Sequence, residues 1–145
     1  MKVCLVCSTG GHLTEMEALL PALEGHERFW VSYDTPRTRD LAPIHFSRGL
    51  GRNPLNYVRD TLWAWRLLRR ERPGLVLSTG SEVAIPVFLA ARALGIPTLY
   101  VESVCRVTAP SGTGKIMAKI AREVYVQWPG LQEQLPGSRY EGGLL

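Results

Sequence analysis

The sequence lacks any long hydrophobic run. No stretch of its 145 residues approaches the roughly 18–20 consecutive apolar residues that a membrane-spanning helix requires. No signal peptide fits the first residues, because the apolar run at residues 3–7 is short and leads directly into a glycine loop. We therefore expect a cytoplasmic protein without a transmembrane segment, with peripheral membrane contact left open.

Cysteine is also scarce. The chain has three cysteines, and two of them, Cys4 and Cys7, form a C-x-x-C pattern that redox and metal sites use. Here the pattern lies inside a predicted strand, where residues three apart point to opposite faces. Only Cys105 remains, so no zinc ligand set is present and we predict no metal. Buried, reduced thiols are the expected outcome.

Two common nucleotide-binding motifs are missing. The loop at residues 10–12 reads Gly-Gly-His and does not match G-x-G-x-x-G, although Asp34 follows the second predicted strand, so NAD binding is disfavoured rather than excluded. A phosphate-binding P-loop fails near residue 112, because Ala109 replaces the first glycine and Ile116 replaces the magnesium-binding hydroxyl. We predict no cofactor.

Apolar runs and helix-patterned segments alternate along the chain. Strands are predicted at residues 2–7, 29–33, 44–46, 75–78, 97–101 and 124–126, and helices at about 13–23, 54–71, 83–94 and 114–121. A capping box at residues 14–17 places the start of the first helix near Leu13. This alternation predicts an α/β fold, a Rossmann-like parallel sheet with helices on both faces, and residues 1–145 as a single domain.

Ligands of such sheets bind beyond the carboxyl ends of the strands. The loops that qualify lie at residues 10–12, 79–82, 102–106 and 127–128. The substrate contacts predicted in or beside these loops are Gly10, Gly11, Thr14, Gly80, Ser81, Ser103, Arg106 and Gln127.

Two residues in these loops are candidates for catalysis. His12 follows the paired glycines at a predicted helix start, where a neutral imidazole can accept a proton from a substrate hydroxyl. Glu102 ends the fifth predicted strand and has two interpretations of equal weight. It is either a buried carboxylate that caps the next loop, with Arg106 as a possible ion-pair partner, or a contact to an acceptor sugar.

The helix at residues 54–71 combines aliphatic, tryptophan and arginine side chains. Leu55, Val58, Leu62 and Trp65 form one apolar stripe, which Trp63, Leu67 and Leu68 widen. The helix either covers the sheet or lies at a membrane surface, with tryptophans at headgroup level and arginines on anionic lipid. We favour membrane contact through Trp63, Trp65, Arg66 and Arg69. No nucleic-acid-binding module accompanies the arginines, so no nucleic acid is predicted.

Three segments together resemble a known family. They are residues 8–16 (STGGHLTEM), residues 100–107 (YVESVCRV), and Gly114-Lys115-Ile116 with residues 125–129 (YVQWP). The chain is similar to the membrane-associated subunit of two-part glycosyltransferases, the asparagine-linked-glycosylation-fourteen family of eukaryotes and the PssD-type polysaccharide biosynthesis proteins of bacteria.

The resemblance implies the N-terminal half of a GT-B glycosyltransferase. A PssE-type (thirteen-type) partner would carry most of the UDP-sugar site. The pair would transfer a sugar from a UDP donor to a polyprenyl-pyrophosphate-linked saccharide at the cytoplasmic membrane face, with His12 or Glu102 orienting or deprotonating the acceptor hydroxyl. Two alternatives stay open: a non-catalytic membrane adaptor that recruits the active partner, and a free-standing nucleotide-binding Rossmann enzyme.

Overall fold

The computed structural model describes residues 1–144, which form one parallel sheet flanked by helices. The seven strands are β1 (Lys2–Cys7), β2 (Glu27–Tyr33), β3 (Ile44–Ser47), β4 (Leu75–Gly80), β5 (Thr98–Val101), β6 (Glu123–Val126) and β7 (Arg139–Tyr140). The four α-helices are α1 (Gly11–Leu19), α2 (Pro54–Glu71), α3 (Ala84–Ala93) and α4 (Gly112–Ile120). The strand order is β3-β2-β1-β4-β5-β6-β7, with every pairing parallel. The predicted Rossmann-like fold is confirmed.

Strand β1 lies at the centre of the hydrophobic core. It pairs with β2 and β4, and its residues from Val3 to Cys7 are fully buried. Cys4 belongs to the apolar cluster on one face of the sheet and Cys7 to the cluster on the other. Burial, with a smaller contribution from Glu17, raises the pKa of Cys7 to about 12. The prediction that Cys4 and Cys7 are buried and point to opposite faces is confirmed, and Cys105 is exposed.

The two faces of the sheet are covered unequally. Helices α2, α3 and α4 all pack on the face that holds Cys4. The opposite face is covered by α1 and by the 3-10 turn at Leu20–Leu23, and Leu99 and Tyr125 remain only partly buried there. Leu144 packs against this second face.

Helix α1 begins two residues earlier than predicted, and the capping-box prediction is wrong. Gly10 occupies the position before the helix with a φ of 77°, a conformation that glycine adopts without strain. Thr14 is therefore already inside the helix, where its hydroxyl donates to the Gly10 carbonyl oxygen at 3.2 Å. Glu17 forms an ion pair with Arg37 at 2.9 Å.

Two other helix starts have side-chain caps. The Asn53 side chain accepts a hydrogen bond from the Leu55 amide at 3.0 Å, and Pro54 fills the first helical position of α2, as the Asn-Pro pair predicts. Helix α4 begins at Gly112, with the Ser111 hydroxyl accepting from the Gly114 amide at 2.9 Å.

Strand β7 was not predicted, because two residues carry no periodic signal.

Candidate active site

His12 is held in one orientation at the carboxyl edge of the sheet. Its Nδ1 lies 3.2 Å from the Thr79 carbonyl oxygen, and the Thr79 hydroxyl donates to the His12 carbonyl oxygen at 2.6 Å. A carbonyl oxygen can only accept, so the hydrogen bond requires the proton to be on Nδ1. In the neutral ring this leaves Nε2 as a proton acceptor.

The glycine loop after β4 makes room for this imidazole. A β-carbon added to Gly80 would lie 2.5 Å from His12 Nδ1, and Gly80 has a φ of 134°. Both facts require glycine at this position. The next residue, Ser81, has a φ of 83°, an uncommon conformation for a residue with a side chain.

A cavity of about 470 Å³ opens beside His12. Its walls include the first residues of α1 and of α4, so two helix N-termini face the same space. Helix N-termini carry partial positive charge and attract anions. Arg106 adds a full positive charge. The lining residues are Gly11, His12, Ser81, Glu102, Ser103, Cys105, Arg106, Ser111, Gly112 and Thr113.

Glu102 is a buried anchor for the start of α4. It is 1% exposed, and both of its carboxylate oxygens are occupied. One accepts from the Tyr100 hydroxyl at 3.1 Å and the Ser103 amide at 3.0 Å, while the other accepts from the Ser111 amide at 3.0 Å. A β-carbon on Gly114 would overlap the second oxygen. Burial, followed by the charge of Glu102, raises the pKa of Tyr100.

The capping interpretation of Glu102 therefore holds in part. Its carboxylate caps the loop before α4, as that interpretation predicts. Among residues 1–144, no ion pair joins it to Arg106. Glu102 still lines the cavity, so its role in orienting a substrate stays a prediction.

The remaining predicted substrate contacts divide into two groups. Gly11, Ser81, Ser103 and Arg106 line the cavity. Gly10, Thr14, Gly80 and Gln127 lie outside its lining: Gly80 supports His12, and Thr14 is exposed beside Arg37. Gln127 is 4% exposed, and its side chain donates to Glu15 and to the Glu102 carbonyl oxygen.

Sequence reasoning missed two parts of this region. Glu15 is 2% exposed, and it accepts hydrogen bonds from the Val104 amide at 2.7 Å and from the Gln127 side chain at 3.0 Å. A single glutamate within a helix of nine residues gives no sign of burial. Residues 111–113 were missed because the motif they resemble, a P-loop, fails at Ala109 and Ile116. Ser111, directly before the helix-patterned residues of α4, is the signal that predicts an N-terminal cap there.

The outer face of α2 exposes three aliphatic side chains. Leu55 is 71% exposed, Val58 59% and Leu62 52%. The prediction that Leu67 and Leu68 widen this stripe is wrong. These two residues and Ala64 lie on the opposite, buried side of the helix.

Trp63 and Trp65 are half-buried at the edges of the exposed stripe. Arg66 and Arg69 are exposed, and the Arg69 guanidinium lies 4.7 Å from the centre of the Trp65 ring. The aromatic and cationic side chains predicted for membrane contact are therefore accessible together. In the part of the chain that the structure describes, no helix has both the length and the apolarity needed to cross a bilayer.

Solved structures with the same fold define the class. The chain matches MurG from Acinetobacter baumannii with a TM-score of 0.81 and 24% identity, over 99% of this chain and 45% of that one. It matches the UDP-GlcNAc 2-epimerase of Methanocaldococcus jannaschii with a TM-score of 0.76 and 14% identity, over 99% of this chain and 47% of the epimerase. The fold is that of the N-terminal domain of GT-B proteins.

Sequence comparison gives the particular family. The family model described as "Oligosaccharide biosynthesis protein Alg14 like" matches residues 36–144, and this chain belongs to that family. It is 37% identical to the mouse "UDP-N-acetylglucosamine transferase subunit ALG14" and 28% identical to the human protein, each time over the whole chain and 83% of the relative.

A second group of relatives consists of larger transferases. The chain is 32% identical to the "UDP-N-acetylglucosamine--N-acetylmuramyl-(pentapeptide) pyrophosphoryl-undecaprenol N-acetylglucosamine transferase" of Parasynechococcus marenigrum. The match covers 90% of this chain and 40% of that enzyme. The similarity therefore spans one part of a longer transferase.

Proposed function

We propose that this chain is the acceptor-binding subunit of a two-component glycosyltransferase. It transfers N-acetylglucosamine from UDP-N-acetylglucosamine to a polyprenyl-pyrophosphate-linked saccharide. The names of the relatives support the reaction class, because the mammalian proteins are UDP-N-acetylglucosamine transferase subunits and the cyanobacterial one acts on a pyrophosphoryl-undecaprenol substrate. The observation that carries the proposal is His12, which lines an anion-attracting cavity while its Nδ1 lies against the Thr79 carbonyl oxygen.

The acceptor diphosphate would bind where the N-termini of α1 and α4 meet. The partial positive charge of these two helix N-termini and the full charge of the Arg106 guanidinium lie at the same cavity. This placement brings the saccharide attached to the diphosphate towards His12. Glu102 contributes indirectly, because its fully hydrogen-bonded carboxylate fixes the start of α4.

His12 would act as the general base. As the acceptor hydroxyl oxygen bonds to the anomeric carbon of the donor sugar, Nε2 takes the hydroxyl proton. The bond between the anomeric carbon and the diphosphate oxygen breaks, and UDP leaves with that electron pair. The Thr79 carbonyl oxygen stabilises the imidazolium through Nδ1–H, as the 3.2 Å separation allows.

The donor half of the enzyme would come from a PssE-type (thirteen-type) partner. The names of the mammalian relatives support a divided enzyme, because these proteins, of which this chain covers 83%, are called subunits. The cavity described above has the chemistry of an acceptor site, and the partner would hold UDP-N-acetylglucosamine opposite it.

The outer face of α2 would bring the protein to the cytoplasmic membrane surface as a peripheral protein. Leu55, Val58 and Leu62 supply apolar area, and tryptophan and arginine side chains flank it. A second cavity of about 270 Å³ lies on the same side, lined by Phe46, Arg48, Arg59, Asp60, Trp63 and Arg66. Arg48 and Arg66 form no ion pair among residues 1–144, so anionic lipid headgroups fit this cavity.

A transfer assay with labelled UDP-N-acetylglucosamine tests the reaction. The acceptor is a polyprenyl-pyrophosphate-linked saccharide in vesicles, and the samples are this chain, the PssE-type partner, and the two combined. We expect product only in the combined sample, and less product from UDP-glucose or UDP-galactose. Product from this chain alone would contradict the divided enzyme and favour the free-standing alternative.

The variant His12→Asn separates catalysis from recruitment. We expect the assembled pair to lose at least about 100-fold in kcat, the usual contribution of a general base, while the partner still co-purifies with the variant. Full activity of this pair would overturn the base assignment and favour the adaptor alternative.

A further inference from the structure

We infer that Glu15 and Gln127 are positioning residues, which hold the loop after β5 so that Arg106 faces the anionic group of the acceptor. The inference rests on the proposed function, because it assigns Arg106 a substrate contact. Neither side chain lines the cavity, and both are almost fully buried. Their effect on a substrate must therefore pass through other residues.

The loop that carries Arg106 has no regular secondary structure of its own. Between the end of β5 at Val101 and the start of α4, hydrogen bonds to side chains hold the backbone in place of the regular bonds of a strand or helix. The Val104 amide donates to Glu15 at 2.7 Å, and the Val104 carbonyl oxygen accepts from the Trp128 indole at 2.6 Å. Two residues later, the Arg106 amide donates to the Ser103 carbonyl oxygen at 3.0 Å. The path of the backbone into Arg106 thus depends on how Val104 is held.

Gln127 fixes the position of Glu15. Its Nε2 donates to Glu15 Oε1 and to the Glu102 carbonyl oxygen, both at 3.0 Å. Its Oε1 accepts from the Leu144 amide at 2.8 Å. A buried amide with both donors and its oxygen engaged has a single orientation, because a flip would set like groups against each other.

Glu15 is costly to bury, which favours a specific role. It is 2% exposed, and its Oε2 has no hydrogen-bond partner among the described residues. A buried, half-satisfied carboxylate destabilises a fold. All hydrogen bonds of this carboxylate are accepted by Oε1, and the donors are Ser103, Val104 and Gln127.

The network therefore joins four separate segments of the chain: α1, the loop after β5, the residues after β6, and the segment that contains Leu144. Arg106 enters the cavity from the second of these. A change in the Gln127 side chain would leave the cavity walls chemically intact but would alter where the Arg106 guanidinium lies.

The test uses acceptor kinetics of the assembled pair. Gln127→Glu keeps the size of the side chain but places a second acceptor against Glu15 Oε1. We expect KM for the acceptor to rise about 10-fold while kcat stays within about threefold. Glu15→Met, which removes the acceptor for Val104, should behave in the same way.

Glu15→Gln is the matched conservative variant. The single oxygen of glutamine can still accept from both Val104 and Gln127, so we expect near-normal KM. A large loss in this variant would show that the Glu15 charge itself acts, and would overturn the positioning role. Gln127→Glu is excluded if it shows no thermal transition, which would mean that it does not fold. In that case, the KM values of Glu15→Met and Glu15→Gln still test the positioning role.

A double-mutant cycle with Arg106→Ala distinguishes failure of the inference from failure of the proposed function. Arg106→Ala should raise KM for the acceptor, and Gln127→Glu should then add nothing further, because it acts through Arg106. If Arg106→Ala has no effect on KM, the proposed diphosphate site fails. If it raises KM but the Gln127→Glu effect adds in full, only the positioning role fails.

Discussion

The carboxyl edge of the sheet and the outer face of α2 depart from the usual burial pattern in opposite ways. At the edge, the carboxylates of Glu15 and Glu102 are buried at 2% and 1% exposure and accept several hydrogen bonds. On α2, Leu55 and Leu62 are more than half exposed, although aliphatic residues are usually buried.

The difference shows which partners each region already has. Apart from Glu15 Oε2, the buried carboxylate oxygens find their donors within the chain, so the edge is an internally built polar site. The exposed leucines leave more than half of their surface uncovered, and Arg66 has no carboxylate partner among residues 1–144. The α2 face therefore fits a surface that something else supplies, and a membrane supplies both apolar contact and negative charge.

The largest expected effect concerns the packing around Glu102 at the carboxyl edge of the sheet. Gly114→Ala would place a β-carbon on the Glu102 carboxylate, and Gly112→Ala, two residues earlier in the same helix, would meet nothing within 4 Å. We expect Gly114→Ala to lower the free energy of unfolding by about 3 kcal/mol. Gly112→Ala should change it by less than about 0.5 kcal/mol. Chemical denaturation measures both, and equal transitions would refute the close packing around Glu102.

The next effect concerns the α2 face. The triple substitution Leu55→Ser, Val58→Ser and Leu62→Ser removes the exposed aliphatic side chains. Since burial of each is worth about 1 kcal/mol or more, we expect vesicle binding to weaken about 100-fold. The thermal transition should move little, because more than half of each side chain is already exposed in the folded chain.

The matched control is Leu89→Ser on α3, another exposed leucine, at 39% exposure. It should leave vesicle binding unchanged in a flotation assay. Equal loss of binding in the control would show that the α2 stripe is not a specific membrane contact.

A smaller effect tests how much the arginine charges contribute to membrane binding by the α2 face. Arg66→Gln with Arg69→Gln removes two charges from the α2 face. Each arginine near an anionic surface contributes about 1 kcal/mol, so binding to anionic vesicles should weaken about 10-fold or somewhat more. Arg28→Gln with Arg122→Gln makes the same change in net charge at the amino edge of the sheet and should have little effect. A similar loss in both pairs would point to net charge rather than to this face.

The smallest perturbation is thiol labelling, which leaves the fold intact. Burial raises the pKa of Cys7 to about 12 and also raises that of Cys4, whereas Cys105 is exposed at the cavity. Only the thiolate reacts, so both buried thiols stay protonated and unreactive at pH 7.5. Mass spectrometry should find one iodoacetamide adduct, at Cys105, on the folded protein and three after unfolding. A second adduct on the folded protein would contradict the burial of the C-x-x-C pair.

The sheet and the place of the site could be predicted because their signals are local. The apolar runs predict strands such as β1, and parallel topology then gathers the loops after β1, β4 and β5 at one edge. His12 and Arg106 were found in this way, and both line the cavity.

The parts that could not be predicted depend on contacts between distant segments. Glu15 and Gln127 lie 112 residues apart and meet only in the folded chain. The face of α2 that packs on the sheet could not be predicted either. Its sequence is apolar at Leu55 and Leu62 and again at Leu67 and Leu68. Periodicity alone cannot choose between two apolar faces, and packing on the sheet selects the second pair.

The most direct test of the account compares two acceptors in the reconstituted pair. One is a long-chain polyprenyl-pyrophosphate saccharide in vesicles, and the other is a short-chain, water-soluble analogue. We predict that the α2 triple variant loses activity with the vesicle-bound acceptor and keeps it with the soluble one, while His12→Asn loses both. Loss of both activities in the triple variant, or full activity of His12→Asn with either acceptor, would contradict the division between a catalytic edge and a membrane-binding face.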